Sequence, residues 1–128
     1  VPPHIVALRS LDRIRGEKLW QKGNQKQYYT EITDTLRTYI EQRFGIKTIE
    51  RTSNEILVDL SVKDLAPSDY ESLKELFGTA DLVKFAKYSA SEAENENAVP
   101  VAVRFVNDTF MQSLEADSKN TEGGRKDE

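Results

Sequence analysis

Carboxylates are the most numerous reactive side chains in this 128-residue chain, with 22 Asp and Glu against 18 Lys and Arg. Two of them could act as acid and base in a glycosidase-type reaction, but only if folding pairs them at a specific separation. No spacing along the chain singles out such a pair, and carboxylates in this composition belong on solvated helix faces. There is no cysteine, so disulfides, zinc thiolates and cysteine nucleophiles are excluded. One histidine, His4, stands near the N-terminus. A single imidazole cannot complete a zinc ligand set, and a terminal one cannot serve as the base of a serine triad. Gly123-Gly124-Arg125-Lys126 opens no helix and so makes no phosphate cradle. Asn107-Asp108-Thr109 matches a glycosylation sequon but falls within a helical pattern. The expectation is therefore a non-enzymatic chain, with no catalytic residue, metal ligand or cofactor site and no evident small-molecule substrate.

Two groups suggest binding instead. Arg9, Arg13, Arg15, Lys18, Lys22 and Lys26 form a basic segment opposed only by Asp12 and Glu17. Such a segment is ordinarily a solvated helix face, but it also suits the cytoplasmic flank of a membrane helix. Trp20, Tyr28, Tyr29 and Tyr39 are candidate interface aromatics, because such side chains bury area while keeping a polar end. Their helical spacing favours a core role.

The elements that must carry these residues are helical. Pro2-Pro3 suits a helix start, and Ile5, Leu8, Leu11 and Ile14 form a stripe that predicts a helix running on through Leu19 and Trp20 to Gly23. Tyr29, Ile32, Leu36, Tyr39, Ile40 and Phe44 predict a helix over 25–44, with Gly45 as its left-handed cap. Thr52-Ser53-Asn54-Glu55 is a capping-box signature opening a short helix, although the apolar run after it could also form a strand. Pro67, with Ser68 and Glu71 at capping spacing, opens a helix that runs to about Lys87, with Gly78 as a potential interruption. Ser91 and Glu94 repeat the box. The stripe Val99, Val103, Val106, Phe110 and Leu114 then predicts a last helix that either starts near Val99 or starts near Glu92 and kinks at Pro100; the Ser91 cap favours the second. Residues 117–128 have no apolar side chain beyond glycine and read as a disordered tail after a helical domain over 1–116. The expected fold is all-α: a compact bundle of about five helices, with the second and last as its spine.

Charge is unevenly distributed. Residues 1–51 carry ten Lys/Arg and six Asp/Glu, whereas 52–128 carry eight and sixteen. The two short helices near 53–60 and 67–77 could form a helix-turn-helix, which makes a nucleic-acid-binding regulator the alternative function. Over 52–81, however, only Lys63 and Lys74 stand against seven acids, and phosphate binding needs the opposite balance. No apolar run is long enough to span a bilayer. The start at Val1-Pro2-Pro3 reads as a chain cut from a longer protein or a mature form.

Three segments carry a resemblance: Leu19-Trp20-Gln21-Lys22-Gly23 leading to Lys26-Gln27-Tyr28-Tyr29; Leu36 through Ile46; and Ala80 through Tyr88. Over about residues 2–112 the chain resembles the cytoplasmic C-terminal domain of an uncharacterised bacterial membrane-protein family. That family is encoded in Bat-type aerotolerance operons with MoxR-type ATPases and von Willebrand factor A-domain proteins. The resemblance implies a transmembrane helix upstream, a place at the cytoplasmic face of the inner membrane, and protein partners: envelope-complex subunits or a MoxR-type ATPase. Its motifs are domain signatures and transfer no active site. Pro100 departs from the family's pattern in the last helix.

Overall fold

A computed structural model describes the backbone of residues 1–126 and the side chains of residues 1–118. Five helices follow one another: α1 (Pro3–Glu17), α2 (Gln25–Phe44), α3 (Ser53–Ser61), α4 (Pro67–Phe85) and α5 (Glu92–Lys126). No strand occurs among the described residues, so the run after Thr52 is helix and the all-α expectation stands. The tail expected over 117–128 begins inside α5. Apart from Asp117 and Ser118, its side chains lie outside the described residues.

Helix α1 starts at Pro3, with the Ile5 and Val6 N–H groups donating to the Pro2 carbonyl. It buries Ala7, Leu11 and Ile14. It ends at Glu17, short of the expected Gly23, because Lys18 turns left-handed at φ 53°. The reversal folds Leu19 into the core and lets α2 return at once along α1, with the Asn24 N–H donating to the Leu19 carbonyl at 2.8 Å. A continued helix would have carried Leu19 past the end of the bundle.

Helix α2 has the expected bounds and cap. Gly45 is left-handed, and its N–H donates to the Glu41 carbonyl at 3.0 Å. Both halves of the Thr52/Glu55 capping box form at α3. At α4 the expected Ser68/Glu71 box does not form. Ala66 is the cap residue and Pro67 starts the helix, so Ser68 already lies within the first turn. Gly78 does not interrupt α4: a mid-helix glycine costs roughly 1 kcal/mol, which the buried Leu73, Leu76, Phe77, Ala80 and Val83 outweigh. The helix stops at Phe85, and the Ala86 and Tyr88 N–H groups close its end on the Leu82 carbonyl.

Helix α5 starts at Glu92 behind the Ser91 cap and runs through Pro100, which rules out a start at Val99. Its inward face differs from the predicted stripe. Asn95, Ala98, Val99, Ala102, Phe105, Val106 and Thr109 are buried, Val103 and Phe110 are half-buried, and Leu114 is exposed. Val99 and Val106 of the stripe are core residues, and Asn95, Ala98, Ala102, Phe105 and Thr109 join them on the inward face. Helix α2 packs on α1, α4 and α5, and α5 packs on α1, α2 and α4; these two form the spine. Helix α3 packs on α4, where the Tyr70 hydroxyl donates to the Leu57 carbonyl at 2.9 Å.

Candidate interaction surface

The six basic residues are all exposed, but their charge is not equally available. Arg13 pairs with Glu17, one turn on, and with Glu31 of α2 at 3.1 Å. Arg15 pairs with Asp12 at 2.6 Å. These contacts tie the charge of both arginines into the domain. Arg9, Lys18, Lys22 and Lys26 form no ion pair among the described residues. Arg9 and Arg13 are one turn apart and point the same way, whereas Arg15 turns towards α5. Lys18 and Lys22 belong to the α1–α2 turn, and Lys26 opens α2.

The aromatic candidates go inward, as their spacing suggested, which corrects the interface reading for three of the four. Tyr28, Tyr29 and Tyr39 are buried. The Tyr28 hydroxyl donates to the Asn95 carbonyl at 2.8 Å and the Tyr29 hydroxyl to Asn95 Oδ1 at 2.9 Å. Burial pushes the Tyr28 hydroxyl up to about 12 and raises Tyr29 and Tyr39 as well. All three are neutral core donors linking α2 to α5. Trp20 alone is half-buried at the surface.

Trp20 lies in a groove of about 200 Å³ between the end of α1 and α5, with Arg15, Lys18, Gln21, Glu96 and Pro100. Pro100 has no N–H to offer the Glu96 carbonyl, so one backbone acceptor of α5 lacks its helical donor beside this groove. A second groove, of about 390 Å³, continues along α5 between Arg15, Val103, Arg104 and Asp108. On the far side of Pro100, between α4 and α5, a third of about 430 Å³ is lined by Ser72, Glu75, Thr79, Glu94, Asn97 and Arg104. The proline thus sits on a ridge with a concave surface on each side.

One acidic residue organises the entrance to this last groove. Glu94 accepts from the Ser91 N–H at 2.9 Å, the Tyr88 hydroxyl at 2.6 Å and the Thr79 hydroxyl at 3.3 Å. These donors, led by the Tyr88 hydroxyl, hold its carboxyl below the usual range. The Ser91/Glu94 spacing signalled the cap, but nothing in it signalled the partners Tyr88 and Thr79. A buried carboxyl, Asp69, was also not legible: burial and the nearby Asp108 raise it to about 6.

No group of three or more His, Cys, Asp or Glu among the described residues is placed to hold a metal ion. No helix among the described residues is long and apolar enough to cross a membrane. The sequon's Thr109 is fully buried. No family model, curated protein or solved structure matches the chain.

Proposed function

We propose that this chain is a non-enzymatic docking domain that works at the cytoplasmic face of a bacterial inner membrane, tethered by a helix upstream and contacting protein subunits or a MoxR-type ATPase. The observation that carries the reading is the set of four exposed cations, Arg9, Lys18, Lys22 and Lys26, whose charge is not spent on carboxylates among the described residues. The family resemblance supplies the tether and the partner classes. The grooves around Pro100 supply concave surfaces of mixed polarity, with Trp20 at the edge of one, where a protein segment can seat.

Geometry limits how the domain meets the membrane. From its first residue to Glu17, α1 extends about 22 Å at 1.5 Å per residue. If α1 stood upright on a tether ending before Val1, the Lys18–Lys26 region would sit beyond the screening length of an anionic surface, about 8 Å at physiological salt. The basic residues act together only if α1 lies along the surface, where each cation in reach contributes about 1 kcal/mol.

Sedimentation with vesicles of anionic or of purely zwitterionic lipid tests the reading on the chain as it stands. Weak binding to anionic vesicles, absent from zwitterionic ones and abolished by salt, is expected. No binding to anionic vesicles even at low salt overturns the membrane-surface part of the proposal.

A further inference from the structure

The face of α5 turned away from the core is not the polar face expected of a bundle helix. Pro100, Val103, Asn107, Phe110, Met111 and Leu114 recur at steps of three or four residues, so they form one strip opposite the buried Ala102, Phe105 and Thr109. All but Asn107 are apolar. Met111 is 53% and Leu114 46% exposed, Pro100 is exposed, and Val103 and Phe110 are half-buried. Single exposed apolar side chains are ordinary, but a contiguous row of them marks a contact surface. The His4 ring stacks on Phe110 at 3.6 Å, so one edge of the strip borders α1. The other edge borders α4, where Gln112 Nε2 lies 3.4 Å from Asp69 Oδ2 and Arg104 shares a groove with Ser72 and Glu75. This second edge carries opposite charges one turn apart, Arg104 and Asp108. Neither forms an ion pair among the described residues.

We propose that this strip is a self-association surface, on which a second copy of the chain lays its own α5 antiparallel, Arg104 of each copy meeting Asp108 of the other. Charge selects the occupant and its direction. Only an antiparallel two-fold pairing sets the α4-side edge against the same edge of the second copy; a parallel pairing sets it against the α1 side. Centred on Asn107, the antiparallel pair places Pro100 opposite Leu114 and Val103 opposite Met111. Arg104 and the facing Asp108 are then offset by two residues, about 3 Å along the axis, within reach of an arginine side chain. The two-fold axis makes the ion pair twice. The strip from Pro100 to Leu114 is about 21 Å long on a helix about 10 Å wide, which falls well short of the roughly 800 Å² per partner of a stable interface. The dimer is therefore weak and reversible. The inference is independent of membrane attachment.

Sedimentation equilibrium of the whole chain from about 10 μM to about 1 mM tests it. The average mass should rise from monomer towards dimer across this range. Met111→Glu, at an exposed position, should raise the dissociation constant at least tenfold. Arg104→Glu and Asp108→Arg should each weaken association, because each sets like charges opposite one another twice. An equimolar mixture of these two variants should associate again, since both facing pairs are then of opposite sign. A parent that stays monomeric to 1 mM, or a Met111→Glu variant that associates as well as the parent, overturns the proposal and leaves the strip to a different protein. A mixture no more associated than its components overturns it as well. Thermal melts confirm that each variant is folded; if a charge variant is not, the parent and Met111→Glu decide alone.

Discussion

The Tyr39 hydroxyl lies 2.6 Å from Thr109 Oγ1 in the buried core, joining α2 to α5. Either hydroxyl can donate in the pair; when Tyr39 does, Thr109 donates to the Phe105 carbonyl at 2.7 Å. The Val106 carbonyl, 3.2 Å from the tyrosine oxygen, offers it a second acceptor. Tyr39→Phe removes a donor without stranding Thr109 and should cost about 0.5–1.5 kcal/mol. Thr109→Val leaves Tyr39 its alternative acceptor and should cost a similar amount. Chemical denaturation of both single variants and the double variant should give a coupling of about 0.5 kcal/mol or more, as for residues in direct contact. Strict additivity would show that the hydroxyls do not interact.

Leu36 is fully buried in α2, where that helix faces the core. Leu36→Ala should destabilise the domain by about 2–5 kcal/mol, the transfer loss plus the residual cavity. The denaturant midpoint should fall without a change in slope. A midpoint equal to that of the parent would mean that Leu36 is not a core residue.

Glu94 and Glu55 predict acid sensitivity. Both carboxyls are held below their ordinary value by hydrogen-bond donors, Glu94 first by the Tyr88 hydroxyl and then by its Ser91 cap, Glu55 first by the Thr52 backbone. A depressed carboxyl stabilises the fold above its unfolded pKa, and that contribution is lost as pH falls through the folded value. Stability should therefore decline below about pH 4.5. Ser91→Ala should cost about 1 kcal/mol by removing the α5 cap. Thermal melts from neutral pH downward check both, and stability that keeps rising below pH 4 would contradict the capping assignment.

How much of this was readable in the residues depended on whether the signal was local. The α2 bounds, its Gly45 cap and the boxes at Thr52 and Ser91 were legible, because each is set within four residues. The end of α1 was not. Lys18 has no intrinsic reason to turn left-handed, and the turn exists to return Leu19 to a core built by distant helices. The inward face of α5 was legible in part: Val99 and Val106 are buried and Val103 and Phe110 half-buried, whereas Leu114 is exposed. Ala98 and Ala102, also buried, are weak hydrophobic signals on their own. The basic segment was legible as charge. Which cations are spent depended on Glu31, a residue on another helix.

The acidic α3–α4 pair predicts weak interaction with DNA. The helices are joined by a short connector, but the stretch 52–81 has two lysines and seven acids. Phosphate neutralisation supplies most non-specific affinity, and this face cannot provide it. Fluorescence anisotropy with duplex DNA at physiological salt should show no binding up to micromolar protein. Saturation in that range would favour a nucleic-acid-binding regulator over a docking domain.

The division among the cations predicts the order of their effects at a membrane. Arg13 and Arg15 already meet carboxylates in exposed pairs worth about 0–1 kcal/mol each, so attraction to lipid must compete with contacts inside the domain. Arg9, Lys18, Lys22 and Lys26 face no such competition. Replacing these four with glutamine should abolish sedimentation with anionic vesicles. Replacing only Arg13 and Arg15 should reduce it slightly, and it should also free Asp12, Glu17 and Glu31 to repel the surface. All six positions are exposed, so both variants should melt within a few degrees of the parent. Moving the measurement to about 1 M salt, where the screening length shrinks to about 3 Å, should erase the difference between them. If instead the Arg13/Arg15 pair dominates binding, α1 meets the membrane through the face beside α2 and α5, with the ion pairs opened. The α1–α2 turn would then not be the contact.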